Sequence, residues 1–329
     1  MINTLYIEED ILDHPRTVEI ISRFKKAEII TCHHYGELFN RKSQSFRMQK
    51  QNSALILANK KKQFVLPAPD EYGLGGDKNF YFSHMLNCIY DCRYCFLQGM
   101  YRSAHYVLFV NYEEFADDIV KTVNEFPNQS SFFYSGYDCD SLALEPITRF
   151  VDYIMPIFEN LPTATLELRT KSTQIRDLVD RKPMSNCIVA FSLSPDNIVE
   201  HLEAKTPSLT KRIEAMKKLQ AKGWQIGLRF DPLIYHMDYQ QHYAEMFRRI
   251  SNALDPGLIH SISLGAFRMP EKFFRNMVKL YPYEKLFAGG LEDNNGMVSY
   301  EKQKESEMTE YCLAEISSHW DEEKIFPCF

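Results

Sequence analysis

The sequence predicts an α/β fold in which a parallel sheet is covered by helices. Three observations predict it. Six short runs rich in aliphatic and aromatic residues recur between positions 79 and 267. Stretches with helical spacing of apolar residues lie between them, and turn-forming residues punctuate the joins. The chain has 329 residues, 45% apolar and 25% charged, which suits one large domain, alone or with a small appendage. Alternating strands and helices can form a doubly wound sheet or curl into a partial barrel, and periodicity alone does not separate the two.

In chain order, the pattern up to residue 76 is irregular and closes on the turn-rich "PAPDEYGLGGDKN". Its "GLGG" lacks the Lys-Ser/Thr pair of a phosphate loop and reads as a flexible turn. Residues 1–76 are therefore taken as an N-terminal subdomain and 77–329 as the main unit. "NFYFSHML" (79–86) is a first strand running into a cysteine-rich loop. "NYEEFADDIVKTVNEF" is a helix: Asn111 is placed to cap it, Glu114 follows three residues on, and Phe115, Ile119, Val123 and Phe126 form its apolar face. "SFFYS" (131–135) is a second strand, followed by a helical stretch at 141–160. "TATLELRT", "CIVAFSLS", "WQIGLRF" and "HSISLGAF" are the third to sixth strands. The helix "LTKRIEAMKKLQAKG" ends at Gly223.

No apolar run approaches the ~18 residues of a membrane span, and the first residues, "MINTLYIEEDILDHP", lack a secretory pattern. A cytoplasmic protein is expected, with its eight cysteines reduced. The net charge of −6 does not suggest a general nucleic-acid binder. Its distribution is uneven, however. Residues 38–69 carry seven basic side chains (Arg41, Lys42, Arg47, Lys50, Lys60, Lys61, Lys62) and no acidic one, whereas residues 291–324 carry ten acidic and three basic. The basic stretch fits either a phosphate-contacting face or a solvated segment that meets the acidic extension.

The most informative stretch is "NCIYDCRYCFLQ" (87–98), where Cys88, Cys92 and Cys95 follow the spacing C-x3-C-x2-C with no fourth cysteine nearby. Three thiolates in one loop can hold three irons of a [4Fe–4S] cluster and leave the fourth open to a substrate or cofactor. The competing reading is a structural zinc with His84 as fourth ligand. The loop follows a strand at the head of an α/β array, which favours the cluster.

The motif C-x3-C-x-(aromatic)-C after the first strand resembles the radical S-adenosylmethionine (SAM) superfamily. Over most of the chain, "QKQNSALILANKKKQFV", "CRYCFLQ", "DSLALEPIT", "RTKS", "FSLSP" and "KRIEAMKKLQAKGWQIGLRFDPLIY" are similar, in order and spacing, to the spore photoproduct lyase family. The resemblance implies a partial (β/α)6 TIM-like barrel of the radical SAM type with a small N-terminal α/β subdomain. It also implies reductive SAM cleavage at a [4Fe–4S] cluster to a 5′-deoxyadenosyl radical, and repair of a thymine dimer in DNA. Cys88, Cys92 and Cys95 become the cluster ligands. Tyr94 takes the aromatic position near the adenine. Ser135 and Gly136 stand where the superfamily contacts the SAM amino group, Lys171 is the candidate for its carboxylate, and Ser192 and Ser194 lie where the family touches ribose or carboxylate. DNA through residues 38–69 and an electron donor such as flavodoxin or ferredoxin are the implied partners.

Two positions depart from the family. Where it carries a hydrogen-donating cysteine, an ungapped match places Tyr137, with Cys139 two residues on; phenol O–H and thiol S–H can each give hydrogen to a carbon radical. Where the family has a tyrosine after the third cluster cysteine, this chain has Phe96. Arg229 and Asp231 of "LRFDP" share a strand face, are expected to pair at the barrel mouth, and stand where the family is apolar. Arg268 is a weaker candidate for an anionic group. Radical chemistry on a different substrate, with Tyr137 or Cys139 as donor, and a nucleic-acid-binding protein with a purely structural metal are the alternative readings.

Overall fold

A computed structural model of the chain describes residues 2–69 and 73–328; Asp70, Glu71 and Tyr72 of the turn-rich stretch lie outside them. The six expected strands are all present, as Lys78–Phe82, Ser131–Ser135, Ala164–Thr170, Cys187–Ser192, Gln225–Leu233 and Ile259–Ala266. They are mutually parallel and lie side by side in chain order. That order settles the architecture. A doubly wound sheet reverses its strand order at a switch point, whereas right-handed crossovers that never reverse place every helix on one face. The sheet curls away from its helices into a half barrel, edged by Leu66–Pro67 (antiparallel) and Ile325–Pro327 (parallel).

The outer face packs as the apolar pattern requires. Leu166 and Leu168 are fully buried with Ile154, Met155 and Phe158 in one core, and Phe133 meets Phe158 edge-on at 5.6 Å. The helix expected at 111–126 spans Tyr112–Glu125, but Asn111 does not cap it. Its amide instead joins the backbone of Lys60, accepting from the N–H and donating to the carbonyl at 2.9 Å each. The helical stretch at 141–160 is two helices, Glu145–Thr148 and Phe150–Glu159, parted at Arg149 with φ 47°. Glu145 accepts the N–H of Val151 at 2.8 Å, which restarts the helix there.

The N-terminal region is more regular than its sequence suggests. Glu28–Cys32, Thr4–Glu8, Leu55–Ala58 and Tyr106–Phe109 form a parallel sheet, closed on one edge by antiparallel Met85–Leu86. Leu55–Ala58 is buried throughout, which erases the alternation that marks a half-exposed strand. The sheet draws strands from both sides of residue 76, and its edge strand leads directly into the cysteine loop. The acidic stretch 291–324 is also structured: a hairpin (Leu291–Asn294, Met297–Tyr300) and a helix, Lys302–Ser317, that buries Met308, Cys312 and Ile316. Among the described residues, no helix is long and apolar enough to cross a membrane.

Candidate active site

The cysteine loop is clamped from three sides. Asn87 turns the chain with φ 73°, its side chain bonding the carbonyls of Ser103 and His105 and the N–H of Cys88, while its own N–H reaches Asp138 O at 2.8 Å. Asp91–Cys92 pairs antiparallel with Glu203–Ala204. From the third side the Lys50 ammonium bonds the carbonyls of Cys88 and Tyr90 at 3.4 and 3.3 Å and lies 3.9 Å from Asp91. The basic stretch 38–69 is thus not uniformly exposed: Lys50 is buried under the loop, and burial lowers its pKa. Lys60 is tucked over the rings of Phe109 and Phe115, and Lys61 pairs with Asp10 at 2.6 Å. Arg41, Lys42, Arg47 and Lys62 remain exposed.

All three thiols are unpaired. Cys92 is buried and the other two partly so. Burial raises every one of them, Cys88 to about 12, so ionisation awaits the charge of a bound metal. Among the described residues, no three His, Cys, Asp or Glu side chains converge closely enough to hold one ion. In a [4Fe–4S] cube each thiolate meets a different iron, a demand that three cysteines along one loop can satisfy. His84 does not serve as a fourth ligand: it stacks on Phe150 at 3.9 Å, fully buried, and burial holds it neutral with a pKa of about 3.

Around this loop gather the ends of the second, third and fourth barrel strands. Ser135 is buried, and among the described residues its hydroxyl has no hydrogen-bond partner. Gly136 follows at φ +85°, where a Cβ would lie 2.5 Å from the Ser141 hydroxyl. An orphaned hydroxyl beside a side-chain-free backbone is a fitting cradle for a small polar group such as the SAM amine. Asp140 accepts from Thr170 Oγ1 at 2.6 Å and from the N–H of Lys171 at 2.7 Å, tying the second loop to the third strand. The Lys171 ammonium lies 5.5 Å from the centre of the Tyr94 ring. Burial opposes its charge, but the field of Cys92 once ionised, and that of the Glu203 carboxylate, outweigh that and raise its pKa.

Glu203 is the hub that sequence reading missed. Fully buried, it accepts from the hydroxyls of Tyr94 and Ser194 and pairs with the buried Arg212. Arg212 also donates to Ser192 O at 3.0 Å. Tyr94, Ser192, Ser194 and Lys171 thus share one network, although Ser194 and Tyr94 spend their hydroxyls on Glu203. Glu203 lies beyond any predicted strand and has no local signal. Arg212 had one, since Leu209, Arg212, Ile213 and Met216 all fall on the buried helix face.

The two candidate hydrogen donors part company. Tyr137 is 42% exposed, lying between Tyr81 (4.5 Å) and Phe96 (5.7 Å). Cys139 is buried, its thiol held by the backbone of Met85 and pushed upward chiefly by burial. The expected Arg229–Asp231 pair does not form. Arg229 turns inward to Glu167 at 2.7 Å, and Asp231 faces Arg268 at 3.6 Å. Glu167, fully buried, accepts from both Nε and Nη2 of Arg229, a paired geometry that holds the guanidinium inward.

A singly wound half barrel whose first strand feeds a three-thiol loop at the strand ends defines the radical SAM class. A family model described as spore photoproduct lyase matches residues 1–325, and the chain belongs to that family of radical SAM enzymes, whose cofactors are a [4Fe–4S] cluster and SAM. The spore photoproduct lyase of Bacillus subtilis is 25% identical over 293 residues, covering 86% of this chain and 83% of its own; that of a Geobacillus species is 22% identical over the same length. A spore photoproduct lyase variant solved with AdoMet and the dinucleoside spore photoproduct superposes with a TM-score of 0.87 at 16% identity, over all of this chain and 98% of its own.

Proposed function

We propose that this protein cleaves SAM reductively and acts on a thymine lesion of DNA, with Tyr137 returning hydrogen to the substrate radical. The observation that carries the reading is the thiol trio in one loop, tied by the Asn87 N–H to Asp138 O just past the Ser135–Gly136 turn. A [4Fe–4S] cluster bound by Cys88, Cys92 and Cys95 would supply one electron, from a donor of the flavodoxin or ferredoxin type, to give the 5′-deoxyadenosyl radical. Ser135 and Gly136 would receive the SAM amine, Lys171 its carboxylate, and Tyr94 would line the adenine side. Relatives of the same fold solved with the dinucleoside spore photoproduct support a lesion substrate.

Tyr137 is favoured over Cys139 because its ring reaches the mouth while the thiol is enclosed. Hydrogen donation leaves a phenoxyl radical, too stable to regain hydrogen from the methyl group of 5′-deoxyadenosine. One further electron from the same donor, with a proton from solvent at the exposed Tyr137, restores it, so each lesion repaired consumes one SAM. The test is to incubate reduced, cluster-loaded protein with SAM and dinucleoside spore photoproduct. Repaired dinucleoside and 5′-deoxyadenosine should form in equal amounts, and Tyr137→Phe should keep the second while losing most of the first. Cys139→Ala should change neither. If Cys139→Ala abolishes repair and Tyr137→Phe does not, the donor assignment is wrong.

A further inference from the structure

The inward face of the half barrel carries charge that the cofactor site does not use. Glu167 and Arg229 are both completely buried and bonded at 2.7 and 3.3 Å, and Arg229 also reaches the carbonyl and hydroxyl of Ser261 at 3.0 and 2.9 Å. Space for this guanidinium is made by Gly227, where a Cβ would lie 2.7 Å from Nη2. Glu167 then accepts from Nε of Arg169 at 3.1 Å. Arg169 is held by that one nitrogen. Its side chain stays 39% exposed, and among the described residues its terminal nitrogens make no other bond. Asp231, paired with Arg268, lies within its field.

This is an expensive arrangement for a scaffold. Replacing a buried ion pair by apolar side chains is often neutral or stabilising. Among the described residues, Glu167 is shared between Arg229 and Arg169, which leaves the terminal nitrogens of Arg169 for another acceptor. On the same strand face as Ser261 stands Ser263, 1% exposed, with a hydroxyl that has no hydrogen-bond partner among the described residues. Resting on the reading that the barrel mouth receives the substrate, we propose that Arg169, braced by the Glu167–Arg229 pair, grips a phosphate oxyanion of the substrate. The planar fork suits such a group by paired hydrogen bonds, which an ammonium would not reproduce. The oxyanion can belong to the phosphodiester of a DNA strand or to a free phosphate ester.

Binding to the SAM-loaded holoprotein tests this with thymidine, thymidine 5′-monophosphate, inorganic phosphate and the phosphate-linked thymidine dinucleotide. The monophosphate should bind about tenfold or more tightly than thymidine, and inorganic phosphate should compete with it. Arg169→Gln should erase the difference, and Arg169→Lys should retain only part of it. A dinucleotide tighter than the monophosphate identifies a strand phosphodiester as the source; the reverse order identifies a phosphate ester. Equal affinities for thymidine and its monophosphate, or a preference that survives Arg169→Gln, would overturn the proposal. Formation of 5′-deoxyadenosine by Arg169→Gln is a separate readout: its loss in wild type as well would remove the radical reading, while the binding comparison would still decide the anion site.

Discussion

At the scale of single residues, the site was legible where its parts are neighbours in sequence. Cys88, Cys92 and Cys95 lie within eight residues of one loop, so spacing alone exposed them. Arg229 was misread because its partner is 62 residues away on another strand, a distance no local pattern crosses. Glu203 was missed for the same reason. Its energetic role is nonetheless clear. Glu203→Gln keeps acceptors for Tyr94 and Ser194 but leaves Arg212 buried without a counter-charge, and the expected cost is about 3–5 kcal/mol, read as a lower denaturant midpoint with unchanged slope. Glu203 acts through the groups it holds, so a stable Glu203→Gln protein should also bind SAM more weakly; unchanged stability and SAM affinity would refute this role.

At the scale of elements, strands and helices followed their periodicities, while the joins did not. The break at Arg149 was invisible because a buried carboxylate, rather than a glycine or proline at that position, makes it. Burial raises Glu145 from 4.5 to about 8. A folded-state pKa above the unfolded one means stability that is complete below about pH 4.5 and is lost as pH rises through about 8. Glu145→Gln keeps an amide acceptor for Val151 and cannot ionise. Its thermal midpoint should therefore gain on wild type steadily between about pH 5 and pH 8.5; a constant gap would refute the assignment. The Ser135–Gly136 turn has a different sensitivity. Gly136→Ala forces a side chain into positive φ against Ser141, at a cost of about 1–3 kcal/mol, and it should weaken SAM binding by calorimetry more than it lowers stability.

At the scale of the whole molecule, periodicity made the class of fold legible but not its curvature, since it is the same in a flat sheet and a half barrel; the curvature was legible only in the family resemblance. Strand order decides it, because six parallel strands laid down without reversal put all helices outside and leave an inner face to receive a substrate. That face is unusually charged, and the N-terminal sheet holds the loop that opens onto it. The account depends on that loop carrying an open-cornered iron–sulfur cluster. The most direct measurement is oxygen-free reconstitution followed by iron analysis, electron paramagnetic resonance of the reduced protein with and without SAM, and assay for 5′-deoxyadenosine. The expected result is about four irons per chain, a reduced-cluster signal that shifts when SAM is added, and 5′-deoxyadenosine that disappears in each of Cys88→Ala, Cys92→Ala and Cys95→Ala. A single tightly bound zinc, with no signal and no 5′-deoxyadenosine, would contradict it.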